Sequence, residues 1–210
     1  MNYLNTHNDN CQLCPRIAKF LSNQTKIFPN YHNKPVPGIG PIPADFVIVG
    51  LAPGFHGGNA TGKPFTGDYS GNLIFKILHK FNFSNFEEAK SDYKNINLNN
   101  CRIINAVKCF PPRNKPLSSE IKNCSTYLRN EILLTKPKLI LCLGTIAHNA
   151  VFNVLKFKKK KFAHGEKHIF KDLCILDSYH PSRLNVNTGR LNENMLISIF
   201  NTVRKFLKET

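Results

Sequence analysis

Four side chains in this 210-residue sequence are of types suited to chemistry on a flat, polar ligand: Phe65, Asp68, Asn105 and His180. A phenyl ring can stack, an Asn amide offers both donor and acceptor, and a carboxylate with an imidazole can do acid–base work. Phe65 and Asp68 share one short stretch, Lys63-Pro64-Phe65-Thr66-Gly67-Asp68, where a connecting loop has no packing need for either. Just upstream runs Gly50-Leu51-Ala52-Pro53-Gly54, followed by Gly57 and Gly58. Such glycines let backbone amides approach a flat or anionic group closely, which makes Gly50, Ala52 and Gly54 candidate binding positions. Taken singly, each polar residue has an ordinary reading. Asp68 suits the cap of a helix beginning near Tyr69, Asn105 a turn, and His180 a satisfied surface or core site. Their grouping is what argues for function.

The cysteines divide into two sets. Of the seven, Cys101, Cys142 and Cys174 sit among Ile, Leu and Val, where a thiol behaves as a small hydrophobe. Cys11 and Cys14 form a CxxC in a polar segment ahead of Pro15, Cys109 precedes two prolines, and Cys124 falls on a helix begun near Ser118 or Ser119. Four thiolates from loops and helix ends can enclose one tetrahedral zinc or one cubane cluster. Spacing alone favours structural zinc.

The elements that must position these groups are legible as short apolar runs. Residues 46–49 read as a buried parallel strand, and residues 101–107, 138–143 and 172–177 as three more. Helical spacing follows residue 69 (Leu73, Ile74, Ile77, Leu78), follows Gly144 to about Leu155, and closes the chain with Leu196, Ile199, Phe200, Val203 and Phe206 on one face. The glycine loop, Asn105 with Cys109, and His180 then all fall at or beyond carboxyl ends of strands. Ligands of open α/β sheets bind on that edge. Residues 95–100 read as a polar loop, and the basic run 156–161 as a charged turn or hairpin tip.

Composition narrows the partners. Lys and Arg number 29 against 13 Asp and Glu, a formal charge of +16. That excess favours a polyanion, nucleic acid before membrane, although a Lys- and Asn-rich bias accounts for part of it. An acid-poor chain does not suit a metal-dependent nuclease, which would cluster Asp and Glu at strand ends. No apolar run approaches the roughly 18 residues of a membrane helix, and no secretory signal is present. A single intracellular domain spanning 1–210, cytoplasmic or nucleoid-associated and monomeric, is expected.

GLAPG, TGKPFTGD, NAVKCFPP, HPSRLNVNTGRL and the set Cys11, Cys14, Cys109 and Cys124 together resemble the iron–sulfur uracil-DNA glycosylases, closest to their type-b branch (family 5). The resemblance runs from Cys11 to about Leu191. It implies a three-layer αβα fold around a central four-stranded, mostly parallel sheet. It also implies a [4Fe–4S] cluster on the four cysteines, reversing the preference for zinc. The activity implied is monofunctional: hydrolysis of the N-glycosidic bond of uracil in DNA, with hypoxanthine and other deaminated bases also accepted.

Within that resemblance the candidate residues acquire roles. Phe65 stacks on a base flipped out of the duplex, Asn105 reads its edge, and amides around Gly50, Ala52 and Gly54 face a carbonyl. His180 donates to the oxygen on which negative charge grows. Many relatives place a water-positioning acid or amide directly after the first glycine of GLAPG. Here that residue is Leu51, and the type-b pattern transfers the role to Asp68. Arg183 and Leu184 lie where a loop would enter the minor groove, Leu184 as an apolar wedge and Arg183 on phosphate or the opposite base. Gly57 and Gly58 are compatible with a roomy pocket.

Overall fold

The computed structural model describes residues 4–87 and 93–209. In chain order the elements are α1 (Pro15–Ile27), β1 (Phe46–Gly50), α2 (Gly58–Thr61), α3 (Tyr69–Lys80), β2 (Cys101–Asn105), α4 (Ser118–Thr135), β3 (Leu139–Leu143), α5 (Thr145–Val154), β4 (Lys167–Phe170), β5 (Leu173–Ser178), α6 (Arg183–Asn187) and α7 (Glu193–Glu209).

The sheet has the order β2-β1-β3-β5-β4. β1 pairs in parallel with β2 and β3, and β3 with β5, while β4 runs antiparallel to β5 at the edge. β1, β2 and β3 are buried along their whole length, because alternate side chains feed cores on both faces. Phe46, Ile48, Ile103, Leu141 and Leu176 pack with α3 and α7, and Val47, Val49, Ile104, Ile140 and Ile175 with α4 and α5. The result is the expected three-layer αβα arrangement. Cys101, Cys142 and Cys174 are wholly buried in it, as core thiols should be.

The sheet has five strands, not four. β4 escapes the apolar signal because its residues alternate, exposed Lys167 and Ile169 with buried His168, as an edge strand does. The hairpin turns at Lys171-Asp172, so the basic run 156–161 is no hairpin tip; it lies on the connection between α5 and β4. β2 stops at Asn105, two residues short of the expected end. There Ala106 and Val107 turn their N–H groups onto the carbonyls of Gly50 and Leu51, each at 2.9 Å. This fastens the connection after β2 to the glycine loop after β1.

Among the described residues no helix is long and apolar enough to cross a membrane.

Candidate active site

The chain leaves β1 for β2 on one side and later returns to place β3 on the other. A sheet that reverses direction this way opens a crevice at the carboxyl ends of the two strands. A cleft of about 460 Å³ lies there, lined by Leu51, Ala52, Gly54, Phe65, Asp68 and His180 among others. Residues 51–68 and residue 180 come from different strands, so the sheet edge brings them together as the sequence requires.

Gly50 ends β1, and its bare Cα permits a close approach. A Cβ there would come within 2.5 Å of Asn105 Oδ1 and 2.6 Å of the Phe65 ring. Asn105 pairs in register with Gly50 and is buried. It does not line the cleft but lies beside its Phe65 wall. Its Oδ1 is a buried acceptor with no hydrogen-bond partner, one of three such atoms among the described residues. A buried unpaired acceptor costs about 1–3 kcal/mol.

Phe65 adopts a left-handed backbone, φ 56°, rare for a bulky residue. The bend lets its ring close one wall of the cleft, 6.0 Å from the His180 ring at an interplanar angle of 31°. α3 packs its first turn directly on this bend, where Gly71 meets the Phe65 carbonyl with no room for a side chain.

Asp68 is the N-cap of α3. Its Oδ1 accepts the Gly71 N–H at 2.8 Å, so the ordinary reading of this residue holds. The carboxylate also reaches across the cleft floor. A Cβ on Gly54 would lie 2.7 Å from Asp68 Oδ2, and one on Gly57 would collide with the same oxygen. A Cβ on Gly58 would press on the Lys63 carbonyl at 2.9 Å. Gly57 and Gly58 therefore admit the 63–68 segment rather than enlarging the pocket. Burial raises the Asp68 pKa, partly opposed by the N–H groups of Gly71 and Ser70.

His180 follows β5 and faces Gly144, whose φ of 93° carries the chain from β3 into α5. Burial lowers the His180 pKa to about 4, so its imidazole is neutral at physiological pH. One ring nitrogen then bears a proton to donate. The segment after it forms a short helix, α6, capped where Ser182 Oγ accepts the Asn185 N–H at 3.3 Å. Leu184 on its first turn is 72% exposed, and the Arg183 guanidinium sits 5.4 Å from the centre of the Tyr69 ring.

The cleft also contains His56 and Tyr69, which the sequence did not single out. His56 Nδ1 is held by Tyr31 Oη at 2.8 Å. A tyrosine 25 residues away in sequence leaves no motif, so only the fold exposes this pair.

The four candidate metal ligands meet as well. Cys11, Cys14, Cys109 and Cys124, all free thiols, line one cavity of about 180 Å³. α1 and α4 supply its walls. Arg16 clasps Glu120 through Nε at 2.9 Å and a terminal nitrogen at 2.7 Å, and Asn123 donates to the Leu13 carbonyl at 2.7 Å. Donors point at the sulfurs: the Lys108 N–H lies 3.3 Å from Cys124 Sγ and Tyr127 Oη 3.8 Å from Cys11 Sγ. Beneath them a buried ion triad joins β2, the Cys109 connection and α4. Glu131 accepts from Arg102 at 2.7 Å and from Lys108 at 3.2 Å.

Comparison with known proteins fits this geometry. Residues 37–204 match the sequence model of the uracil DNA glycosylase superfamily. The chain belongs to that superfamily. It is 39% identical over 194 residues to a type-5 uracil-DNA glycosylase of Pyrobaculum aerophilum, covering 90% of this chain and 86% of that one. A type-5 uracil-DNA glycosylase of Thermus thermophilus is 35% identical over 200 residues, covering 90% of each. The type-4 uracil-DNA glycosylase of Archaeoglobus fulgidus is 27% identical over 154 residues, covering 70% of each. The chain is thus a glycosylase, with its nearer similarity to the type-5 branch.

Proposed function

We propose that this protein is a monofunctional DNA glycosylase of base excision repair that hydrolyses the N-glycosidic bond of uracil, and also of hypoxanthine and other deaminated bases, leaving an abasic site. The observation that carries the reading is the buried, unpartnered Asn105 Oδ1 beside the Phe65 ring, at the edge of a cleft holding Asp68 and His180. A deaminated base presents a ring N–H where its amino parent presents an acceptor, and an orphaned acceptor selects for that donor. Uracil and hypoxanthine share it.

The division of labour follows from placement. Phe65 stacks on the extruded base while the amides near Gly50, Ala52 and Gly54 face a carbonyl. His180, neutral, donates an N–H to the oxygen that gains charge as the base departs. Asp68 faces the sugar, where its carboxylate stabilises positive charge and orients water, the role that Leu51 cannot take. No lysine lines the cleft among the described residues, which supports water over an amine as nucleophile. Leu184 fills the gap left by the flipped nucleotide, and Arg183 meets phosphate or the opposite base.

Cys11, Cys14, Cys109 and Cys124 would hold a [4Fe–4S] cluster. Around a tetrahedral zinc, sulfurs at about 2.3 Å from the metal stand roughly 3.8 Å apart. Among the described residues the group of ligand atoms gathered within 4.8 Å of one another is His148, His168 and Asp177, not these thiols. The four thiols around one cavity, with the Lys108 N–H and Tyr127 Oη directed at two of the sulfurs, support the cluster reading. Bound, the cluster supplies a rigid tie between the amino-terminal segment, the Cys109 connection and α4.

Oligonucleotides bearing uracil, hypoxanthine or cytosine test the reading. Alkali-labile abasic sites should form from the first two only. DNA binding without base release would leave a non-catalytic nucleic-acid-binding module in its place.

A further inference from the structure

The imidazole of His180 has no hydrogen bond to its ring among the described residues, so its direction rests on its packing beside Phe65 and on the backbone that carries it. That backbone is gripped on both sides. Ahead of it, the Tyr179 N–H donates to His164 Nδ1 at 3.1 Å. The His164 and Tyr179 rings stack at 4.9 Å with an interplanar angle of 12°, and the Arg190 guanidinium packs 4.6 Å from the centre of the same Tyr179 ring. Behind it, Asn185 Nδ2 donates to the His180 carbonyl at 2.8 Å. Asn185 is itself fixed through its own carbonyl, which accepts the Leu191 N–H at 3.0 Å.

His164 stands on the long connection between α5 and β4, and that connection is bolted to the core. His148 Nε2 donates to the Lys160 carbonyl at 3.0 Å, and its Nδ1 meets Asp177 Oδ1 at 2.8 Å. Gly165 N–H reaches the Asp177 carbonyl at 2.8 Å, and Asp177 N–H the Glu166 carbonyl at 3.0 Å. His148, His168 and Asp177 are close enough to hold a metal ion. Both nitrogens of His148 are already engaged, however, and Lys160, Lys161 and Lys167 line the neighbouring cavity. The trio is a strut. Its effect is to deliver the His164 ring to the back of Tyr179.

We propose that His164 is a positioning residue for the glycosylase reaction: by accepting the Tyr179 N–H, it holds the Tyr179–His180 backbone so that the His180 imidazole points at the departing base. To accept that bond Nδ1 must carry a lone pair, so the ring is the neutral Nε2–H tautomer. Burial, which lowers the His164 pKa, favours that form. The inference rests on His180 being the donor to the leaving group.

A double-mutant cycle separates this role from simple structural support. Single-turnover cleavage of a uracil-containing duplex is measured for His164→Ala, His180→Ala and the double variant. Iron content, melting temperature and DNA affinity are followed in parallel. With His180 present, His164→Ala should slow cleavage about 10–10²-fold, the scale of a misplaced catalytic group, with DNA affinity unchanged. With His180 already removed, the same change should cost less than about twofold. His164→Asn, whose Oδ1 can take the place of Nδ1, should restore most of the rate. Equal losses in both backgrounds, or no loss at all, would overturn the positioning role while leaving His180 intact as a donor. A His180→Ala enzyme that cleaves at full rate would instead overturn the reading of His180, and this inference with it.

Discussion

The capping role of Asp68 and the catalytic role proposed for it can be pulled apart by substitution. Its Oδ1 caps α3 through the Gly71 N–H at 2.8 Å, while Oδ2 lies against Gly54 and Gly57 at the cleft floor. Asn caps a helix as well as Asp does, so Asp68→Asn should leave α3 within a few tenths of a kcal/mol of its normal stability. Asp68→Ala should cost about 1 kcal/mol, or about 2–4 °C in Tm for a chain of this size. Burial already penalises the ionised carboxylate, so the Asn variant should melt no lower than the parent. Catalysis should rank differently. If the charge stabilises the cationic sugar and orients water, both variants lose roughly 10²-fold or more in single-turnover cleavage, about 2.7 kcal/mol of transition-state stabilisation. The assay is a single-turnover time course with enzyme in excess over a labelled uracil oligonucleotide, run beside thermal melts and an equilibrium binding measurement. A melting order of Asn ≥ parent > Ala with both variants slow supports the division. Full cleavage rates in Asp68→Asn, with fold and iron content intact, would reduce Asp68 to a helix cap and leave the work to His180.

His180→Ala should lower the rate roughly 10²–10³-fold, the value of one oxyanion donor, without weakening DNA binding. Because the His180 pKa lies near 4, the rate should show no His180 step across the ordinary imidazole range. An acid-side decline tracking the raised pKa of Asp68 should disappear in Asp68→Asn, and a decline that survives there would contradict the assignment. The depressed His180 pKa also means that the folded protein takes up fewer protons than the unfolded chain below about pH 6.5. This group therefore withdraws stability as pH falls from there towards 4, which melts of the parent and His180→Ala across that window would register. Anaerobic protein should be brown with about four irons per chain, and Cys109→Ser should damage folding as much as activity because metal-site energy is folding energy; colourless, zinc-loaded and fully active protein would refute the cluster. Glu131→Ala strands the buried Arg102 and Lys108 cations and should cost about 3–5 kcal/mol, whereas a change under about 1 kcal/mol by denaturant titration would show that the triad is not needed.

What could be read from the sequence was whatever a local pattern encodes. Buried parallel strands are runs of apolar residues, so β1, β2, β3 and β5 were visible; the glycine loop and the TGKPFTGD segment stand next to each other in the chain as they do in the cleft. β4 was not, because its buried position is the polar His168 while the apolar Ile169 is exposed, so neither an apolar run nor a hydrophobic alternation marks it. Gly57 and Gly58 are compatible with a roomy pocket in sequence, but in the fold they make room for Asp68 and Lys63; sequence shows that a side chain is missing, not what fills its place. His164 left no trace because its partner is a backbone N–H fifteen residues on. Tyr31 with His56, and Arg102 with Glu131 and Lys108, were hidden for the same reason. Contacts that the tertiary fold creates between unrelated segments have no spacing to recognise.

Among the ionisable groups lining the cleft, Asp68 and His180 are shifted in opposite directions. Burial raises the pKa of the Asp68 carboxyl and lowers that of the His180 imidazole, so the cleft disfavours charge of either sign at these two positions. Such an environment is costly for a catalyst that must stabilise a fixed charge in the ground state. It suits a reaction in which both charges appear together and late. Under the proposed assignment, the sugar becomes positive on the Asp68 side and the base negative on the His180 side as the glycosidic bond stretches. Each group then acquires the partner it lacked, in a medium where water does not weaken the attraction. Interactions that strengthen only at that point lower the barrier rather than merely tightening binding. The same property explains why His180 is better neutral. An imidazolium would carry the desolvation penalty and would attract any phosphate, whereas a neutral N–H favours the oxygen whose charge is growing.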